Sequence, residues 1–208
     1  MVRIGILGGT FNPPHRGHLA LATHARDELS LDEVLLMPVN APPHKPGGAD
    51  PAPRHRLEMC RLAIGGEQAI RACGLELERG GPSYTADTLK EIHDRRPEAE
   101  LTFIVGADTA RTLPGWHEPR RVLELAELAV AARAGIDRSE VTDALALAGG
   151  GAVRPRVRFL QMPPVEASSS AARALIAAGS DAQEMLGNDV AAYIAAHGLY
   201  RDAKEEAR

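Results

Sequence analysis

Two rhythms of apolar residues alternate along this chain. Short apolar-rich runs at residues 4–7, 34–37, 101–105, 128–132 and 157–161 are bounded by glycine, proline or charged residues, which predicts buried strands. A further strand is expected at 70–77. Between the runs, apolar positions recur every three or four residues. Leu19, Ala22, Ala25 and Leu29 share one helical face, and Leu57, Cys60 and Ile64 share another in a helix over 54–64. Further helices are expected at 138–147 and 171–177, with one or two closing helices over 181–197. Strands alternating with helices in this way predict an α/β fold with a doubly wound, mainly parallel sheet. The 208 residues suit a single domain over 1–200, with a charged tail at 201–208.

The stretch Gly8-Gly9-Thr10-Phe11-Asn12-Pro13-Pro14-His15-Arg16-Gly17-His18-Leu19 joins the first strand to the first helix. In an open α/β sheet that turn lies at the carboxyl edge, where ligands bind. Gly8 and Gly9 allow close backbone approach and unusual φ values. Pro13 and Pro14 hold the chain extended. A helix opening near Arg16 offers unpaired N–H groups and a dipole that both favour an anion. His15 and His18, three residues apart, then face one side, and Gly17 between them carries no side chain to keep a phosphate away. No acid, thiol or serine stands as a nucleophile, so the pattern suits phosphoryl or nucleotidyl transfer, which runs on positioning and charge stabilisation. A plain tight turn with a capping histidine is the bland alternative. The zinc helix motif needs i,i+4 spacing with a glutamate, and neither a dinucleotide fingerprint nor a Walker loop can be read here.

Composition narrows the partners. Twenty-four basic against 28 acidic residues leave a formal charge of −4, which argues against a general nucleic-acid binder. Cys60 and Cys73 make neither a Cys-x-x-Cys site nor a disulfide framework, as in a reducing compartment. With no signal peptide and no membrane-length apolar stretch read in it, the chain is expected in the cytoplasm.

Other segments hold chemistry that local pattern leaves open. The long Pro/Gly-rich stretch 40–53, with His44, Lys45 and Asp50, is either a functional lid or a surface loop. The basic residues Arg54, His55, Arg56 and Arg61 form either a solvated helix face or a phosphate complement. Ser83 is expected to cap a helix with Asp87 in its first turn. Asp108, just past a strand, either binds a ribose or caps a helix over 109–113. Trp116, the one tryptophan, is either a core or surface packing residue or, in a loop flanked by Pro and Gly, a ring available for stacking. Ser168-Ser169-Ser170 caps a last helix carrying Arg173, and hydroxyls, N–H groups and an arginine together suit a polyphosphate.

The Gly8–Leu19 stretch resembles the signature of the HxGH nucleotidyltransferases and, more narrowly, of the bacterial nicotinate mononucleotide adenylyltransferase family. The narrower likeness rests on Pro82-Ser83-Tyr84-Thr85-Ala86-Asp87-Thr88-Leu89, on Ser168-Ser169-Ser170-Ala171-Ala172-Arg173, and on Gly106-Ala107-Asp108 followed by Trp116. The resemblance implies a Rossmann-like nucleotidyltransferase fold and transfer of the adenylyl group of ATP to nicotinate mononucleotide, without a covalent intermediate. It implies catalytic roles for His15, His18, Lys45 and Arg173, and an ATP site at Gly8, Gly9, Thr10, Phe11, Gly106, Asp108 and Ser169. Thr85, Ala86, Trp116 and His117 are the implied contacts to the mononucleotide, with Mg²⁺ carried by ATP and no protein metal site. Asn12 where aspartate is common, Ser170 for threonine and Ala172 for isoleucine depart from the pattern. A phosphopantetheine or cytidylyl transferase would share the first motif but not the 83–89 segment with Trp116. A non-catalytic nucleotide sensor would have no need of both histidines.

Overall fold

A computed structural model describes residues 1–42, 51–131, 137–163 and 165–201. In chain order the elements are β1 (Arg3–Gly9), α1 (Arg16–Leu29), β2 (Glu33–Pro38), α2 (Pro53–Ile64), β3 (Ile70–Ala72), α3 (Leu75–Arg79), α4 (Thr85–Arg95) and β4 (Glu100–Gly106). They continue with α5 (Ala107–Ala110), a 3₁₀ turn (Leu113–Gly115), α6 (Pro119–Leu125), β5 (Ala126–Ala131), α7 (Arg138–Gly149) and β6 (Val157–Leu160). The chain closes with α8 (Ser169–Ala177), α9 (Gln183–Leu186) and α10 (Asn188–Ala196).

The six strands form one sheet in the order β3-β2-β1-β4-β5-β6, every neighbouring pair parallel. Both faces are covered, which is why the strands read as continuous apolar runs. Alternate side chains serve two separate cores. Ile4, Ile6, Leu35, Met37, Phe103 and Val105 pack with α4, α6 and α7 on one face. Leu7, Val34, Leu36, Ile104 and Ala129 pack with Ala22, Ala25 and Leu29 of α1 and Cys60 and Ile64 of α2 on the other. A third cluster joins Met59 of α2 to Ala172, Leu186, Val190 and Ile194, so the C-terminal helices lean on the outer side of α2.

Successive connections run outward from β1 on one side and from β4 on the other. The order therefore reverses between these two strands, and a crevice opens at their carboxyl ends. The β1–α1 and β4–α5 turns both meet it.

Two expected elements differ. The strand expected at 70–77 ends at Ala72, and the chain turns through Gly74 into α3, which buries Leu75 and Glu76. This edge strand pairs with β2 over three residues only, and the buried Glu76 carboxyl finds its partner on α4 rather than in the sheet. The helix expected at 109–113 begins instead at Ala107, so Asp108 lies in its first turn and does not cap it. β5 ends at Ala131; residues 132–136 and the tail at 202–208 lie outside the described residues. Among the described residues no helix is long and apolar enough to cross a membrane.

Candidate active site

The β1–α1 turn is built differently from its glycine-based expectation. Gly8 and Gly9 do not take positive φ; Phe11 does, at 47°. The glycines instead make room for rings. A Cβ on Gly8 would lie 3.3 Å from the Phe103 ring, and one on Gly9 would lie 3.1 Å from the Phe11 ring. Phe11, 2% exposed, stands edge-on to His18 with centroids 4.9 Å apart. Three contacts from the far end of the chain hold the turn. The Ser169 hydroxyl donates to the Pro13 carbonyl (2.8 Å), Arg173 Nη1 donates to the Asn12 carbonyl (2.6 Å), and the Tyr200 hydroxyl donates to Asn12 Oδ1 (2.7 Å).

α1 opens at Arg16, as its pattern predicts, with His15 in the N-cap position. The backbone N–H of His15 donates to His18 Nδ1 (3.2 Å), and the two rings lie 3.7 Å apart, tilted by 32°. With Nδ1 accepting, the neutral His18 ring carries its proton on Nε2, a donor beside a helix N-terminus. Gly17 serves the pair directly: a Cβ there would come within 3.0 Å of His15 Nδ1.

The crevice is a cleft of about 1230 Å³. Gly8, Gly9, Thr10, His15, Gly17, His18, Gly106, Asp108 and Ser168 border it, as do Tyr84, Thr85, Trp116 and His117. Phe103 lies between these groups, touching the space above Gly8 on one side and meeting Trp116 edge-on at 6.0 Å on the other. This volume exceeds that of an ordinary single small-molecule site, roughly 300–1,000 Å³, and suits two ligands together.

At the Trp116 group, α4 begins at Thr85, with Tyr84 and not Ser83 in the cap position. Ser83 is drawn away because its hydroxyl accepts the Asn40 N–H (2.8 Å). The first-turn N–H groups of Thr85 and Ala86 have no intrahelical acceptor and face the side where negative charge is favoured. The Trp116 indole N–H is held by the Thr112 hydroxyl (2.9 Å), which fixes the ring's edge, and the His117 ring lies over Tyr84 at 4.3 Å.

The structure thus brings together Gly8, Gly9, Thr10, His15, His18, Gly106, Asp108, Thr85, Trp116 and His117. Phe11 lies beneath the turn, Ala86 is buried in the core behind Thr85 and does not border the cleft, and Ser169 and Arg173 face the turn's carbonyls. Lys45, with most of the 40–53 stretch, lies outside the described residues.

Two groups escaped the sequence reading. Arg56, taken for part of a solvated or phosphate-facing surface, is fully buried, and burial lowers its guanidinium pKa. Glu76, inside the expected strand, is 5% exposed and borders the cleft. Burial raises its carboxyl, against the pull of the Ser83 and Thr88 hydroxyls and the Arg79 and Arg56 charges. Arg56 falls in phase with Cys60 and Ile64, so its place in the helical stripe was the available signal.

Among the described residues, Asp87, His117 and Glu118 form the one group of three side chains whose ligand atoms gather within 4.8 Å, and two of the three are exposed. Around His15 and His18 the available groups are imidazoles and backbone donors. That set fits an anion.

Comparison with known proteins agrees with this geometry. The sequence model of the cytidylyltransferase-like family matches residues 6–175. A protein of Thermomicrobium roseum named probable nicotinate-nucleotide adenylyltransferase is 41% identical over 201 residues, covering 97% of this chain and 92% of that one. One of the same name from Roseiflexus is 42% identical over 199 residues, covering 95% and 98%. Among solved structures, the nicotinic acid mononucleotide adenylyltransferase of Plasmodium falciparum complexed with NaAD superposes with a TM-score of 0.78 at 20% identity, covering 96% of this chain and 98% of that one. At that identity the likeness speaks for the fold.

Proposed function

Since this chain belongs to the cytidylyltransferase-like family of nucleotidyltransferases, we propose that it joins nicotinate mononucleotide to the adenylyl group of ATP, forming deamido-NAD and pyrophosphate. The observation that carries the reading is the pairing of His15 and His18 at the N-terminus of α1, in a cleft that also holds Trp116 and the N-terminus of α4. One group supplies donors for phosphates; the other supplies a stacking ring and free N–H groups for a carboxylate. The names of the relatives supply the acceptor.

In this reading the phosphate of the mononucleotide attacks the α-phosphorus of ATP in line, and pyrophosphate leaves. His18 Nε2–H stabilises the charge that builds on the α-phosphate, and His15 holds the phosphates nearby. Gly8, Gly9, Thr10, Gly106 and Asp108 line the ATP side, with Phe11 and Ser169 shaping it from beneath. Lys45 and Arg173 are the cations set against the pyrophosphate charge in this reading, Arg173 from beside the Asn12 carbonyl to which it donates. Nucleotidyltransferases acting on ATP typically use a divalent metal; we take it to be Mg²⁺, carried in with the triphosphate and neutralising its charge. Thr85, Ala86 and His117 offer backbone donors to the nicotinate carboxylate, and Trp116 stacks on the ring. Substrates of this kind are met in the cytoplasm.

Pyrophosphate release with ATP and a panel of acceptors tests the proposal. Nicotinate mononucleotide should far outrun nicotinamide mononucleotide and phosphopantetheine. Equal use of the amide, or a preference for phosphopantetheine, would overturn the assignment.

A further inference from the structure

Arg56 is buried without a carboxylate within ion-pair distance among the described residues, an arrangement that is costly unless its donors are met. Each of its three nitrogens donates to one carbonyl, from three separate stretches of chain: Thr10 (Nη1, 2.8 Å), Asn40 (Nη2, 3.3 Å) and Pro51 (Nε, 3.2 Å). Thr10 belongs to the turn that leads to His15 and His18. Asn40 leads to the other side of the cleft. Its N–H donates to the Ser83 hydroxyl (2.8 Å), its amide donates to the Gly81 carbonyl (2.9 Å), and the Ser83 N–H donates to the Ala41 carbonyl (2.9 Å). One residue after Ser83 comes Tyr84, the cap of α4. Further in, Thr88 of α4 donates to the Glu76 carboxyl (2.7 Å) and accepts from Arg79 (2.9 Å). Arg56 itself does not border the cleft.

We propose that Arg56 is a positioning residue, whose forked guanidinium sets the separation between the histidine turn and the N-terminus of α4, and thereby the alignment of the two substrates. The inference rests on the function proposed above, because that separation enters the rate only where two nucleotides bound at different places must meet. A planar fork reaches three carbonyls at fixed angles, and an ammonium in its place holds the charge without the angles. Each subsite keeps its own contacts when the fork is lost. What changes is the register between them.

Arg56→Lys tests this by a split between binding and turnover, with Ser83→Ala cutting the same connection at its far end. Binding of ATP alone and of nicotinate mononucleotide alone is measured by calorimetry, and turnover by pyrophosphate release, below the melting temperature of each variant. A displacement of about 1 Å costs on the order of 10²-fold. The expected result is that loss in kcat for Arg56→Lys and about a tenfold loss for Ser83→Ala, with each substrate's Kd within about threefold of wild type. Wild-type kcat in Arg56→Lys, or affinity for either substrate falling in step with kcat, would overturn the inference. Should Arg56→Lys fail to fold, Ser83→Ala decides by the same criteria. A wild-type protein that does not use nicotinate mononucleotide would refute the functional reading itself, and this inference with it.

Discussion

Replacing Gly17 with alanine separates catalysis from stability at one atom. Gly17 lies in the first turn of α1, where φ is ordinary, so the backbone accepts alanine and the helix gains from it, by at most about 1 kcal/mol. The added Cβ, however, would sit 3.0 Å from His15 Nδ1 and 3.1 Å from Cε1. Carbon contacts settle near 3.5–4.0 Å, so the ring must withdraw by roughly 0.5 Å. His15 cannot withdraw alone, because its ring lies 3.7 Å from that of His18, which in turn meets Phe11. The methyl group therefore moves both imidazoles. If a displacement near 1 Å costs on the order of 10²-fold, half of that costs about tenfold, or about 1.4 kcal/mol in the barrier. The expected outcome is kcat reduced about tenfold while the melting temperature holds or rises. Steady-state kinetics beside calorimetric melting checks it. Unchanged turnover would show that the ring has room to yield, and a fall in melting temperature matching the loss of activity would show a packing defect instead.

His18→Ala should lower kcat by roughly 10²–10³ while leaving ATP affinity near wild type, because its donor is needed most in the transition state; near-normal turnover with poor ATP binding would contradict that role. Trp116→Ala should weaken both nicotinate and nicotinamide mononucleotide by about tenfold or more without erasing the preference between them. Selectivity that vanishes with the ring would overturn the assignment of discrimination to the backbone donors of Thr85, Ala86 and His117. His55, whose Nδ1 pairs with the Tyr193 hydroxyl at 2.9 Å, is held below its usual range by burial and by the charges of Arg54 and His197. Its folded pKa is lowered, so the unfolded chain takes up the proton first, and stability falls as pH drops through about 6.5 and below. His55→Gln should flatten the melting temperature between about pH 7 and pH 5, and an unaltered slope would remove His55 from the account.

The fold was legible where one element answers to its own pattern. β1, β2, β4 and β5 lie on apolar runs because a parallel sheet covered on both faces leaves no polar side to disguise them, while the edge strand β6 keeps an exposed Arg158 within its run. Segment 70–77 misled because its pattern is set by something other than the sheet. Leu75 is buried as a strand residue would be, but the next residue, Glu76, is buried for the hydroxyl of Thr88, twelve positions away. Phe11 misled in the opposite sense. Positive φ was expected of the glycines beside it, whereas Gly8 and Gly9 are small because the Phe103 and Phe11 rings lie where their side chains would be.

The same distinction runs through the site. His15 caps the helix and His18 stands three residues on in its first turn, so their proximity follows from a local capping pattern. The groups that fix the turn on which they stand are remote: Ser169 reaches Pro13 across 156 positions, Arg173 reaches Asn12 across 161, and Tyr200 reaches Asn12 across 188. No periodicity spans such separations. The serines and the arginine could be read only as a helix cap and a phosphate contact, the roles that their own neighbourhood offers. In the folded chain their hydroxyl and guanidinium groups meet backbone carbonyls of the histidine turn. Arg56 stands between the two cases. Its basic side chain reads as part of a solvated or phosphate-facing surface although its phase with Cys60 and Ile64 points inward, because burying a charge is costly unless carbonyls receive it, and those carbonyls belong to segments that only the tertiary fold brings together. Local sequence thus presents the groups that act on phosphate, while the groups that decide where those act are recruited from a distance.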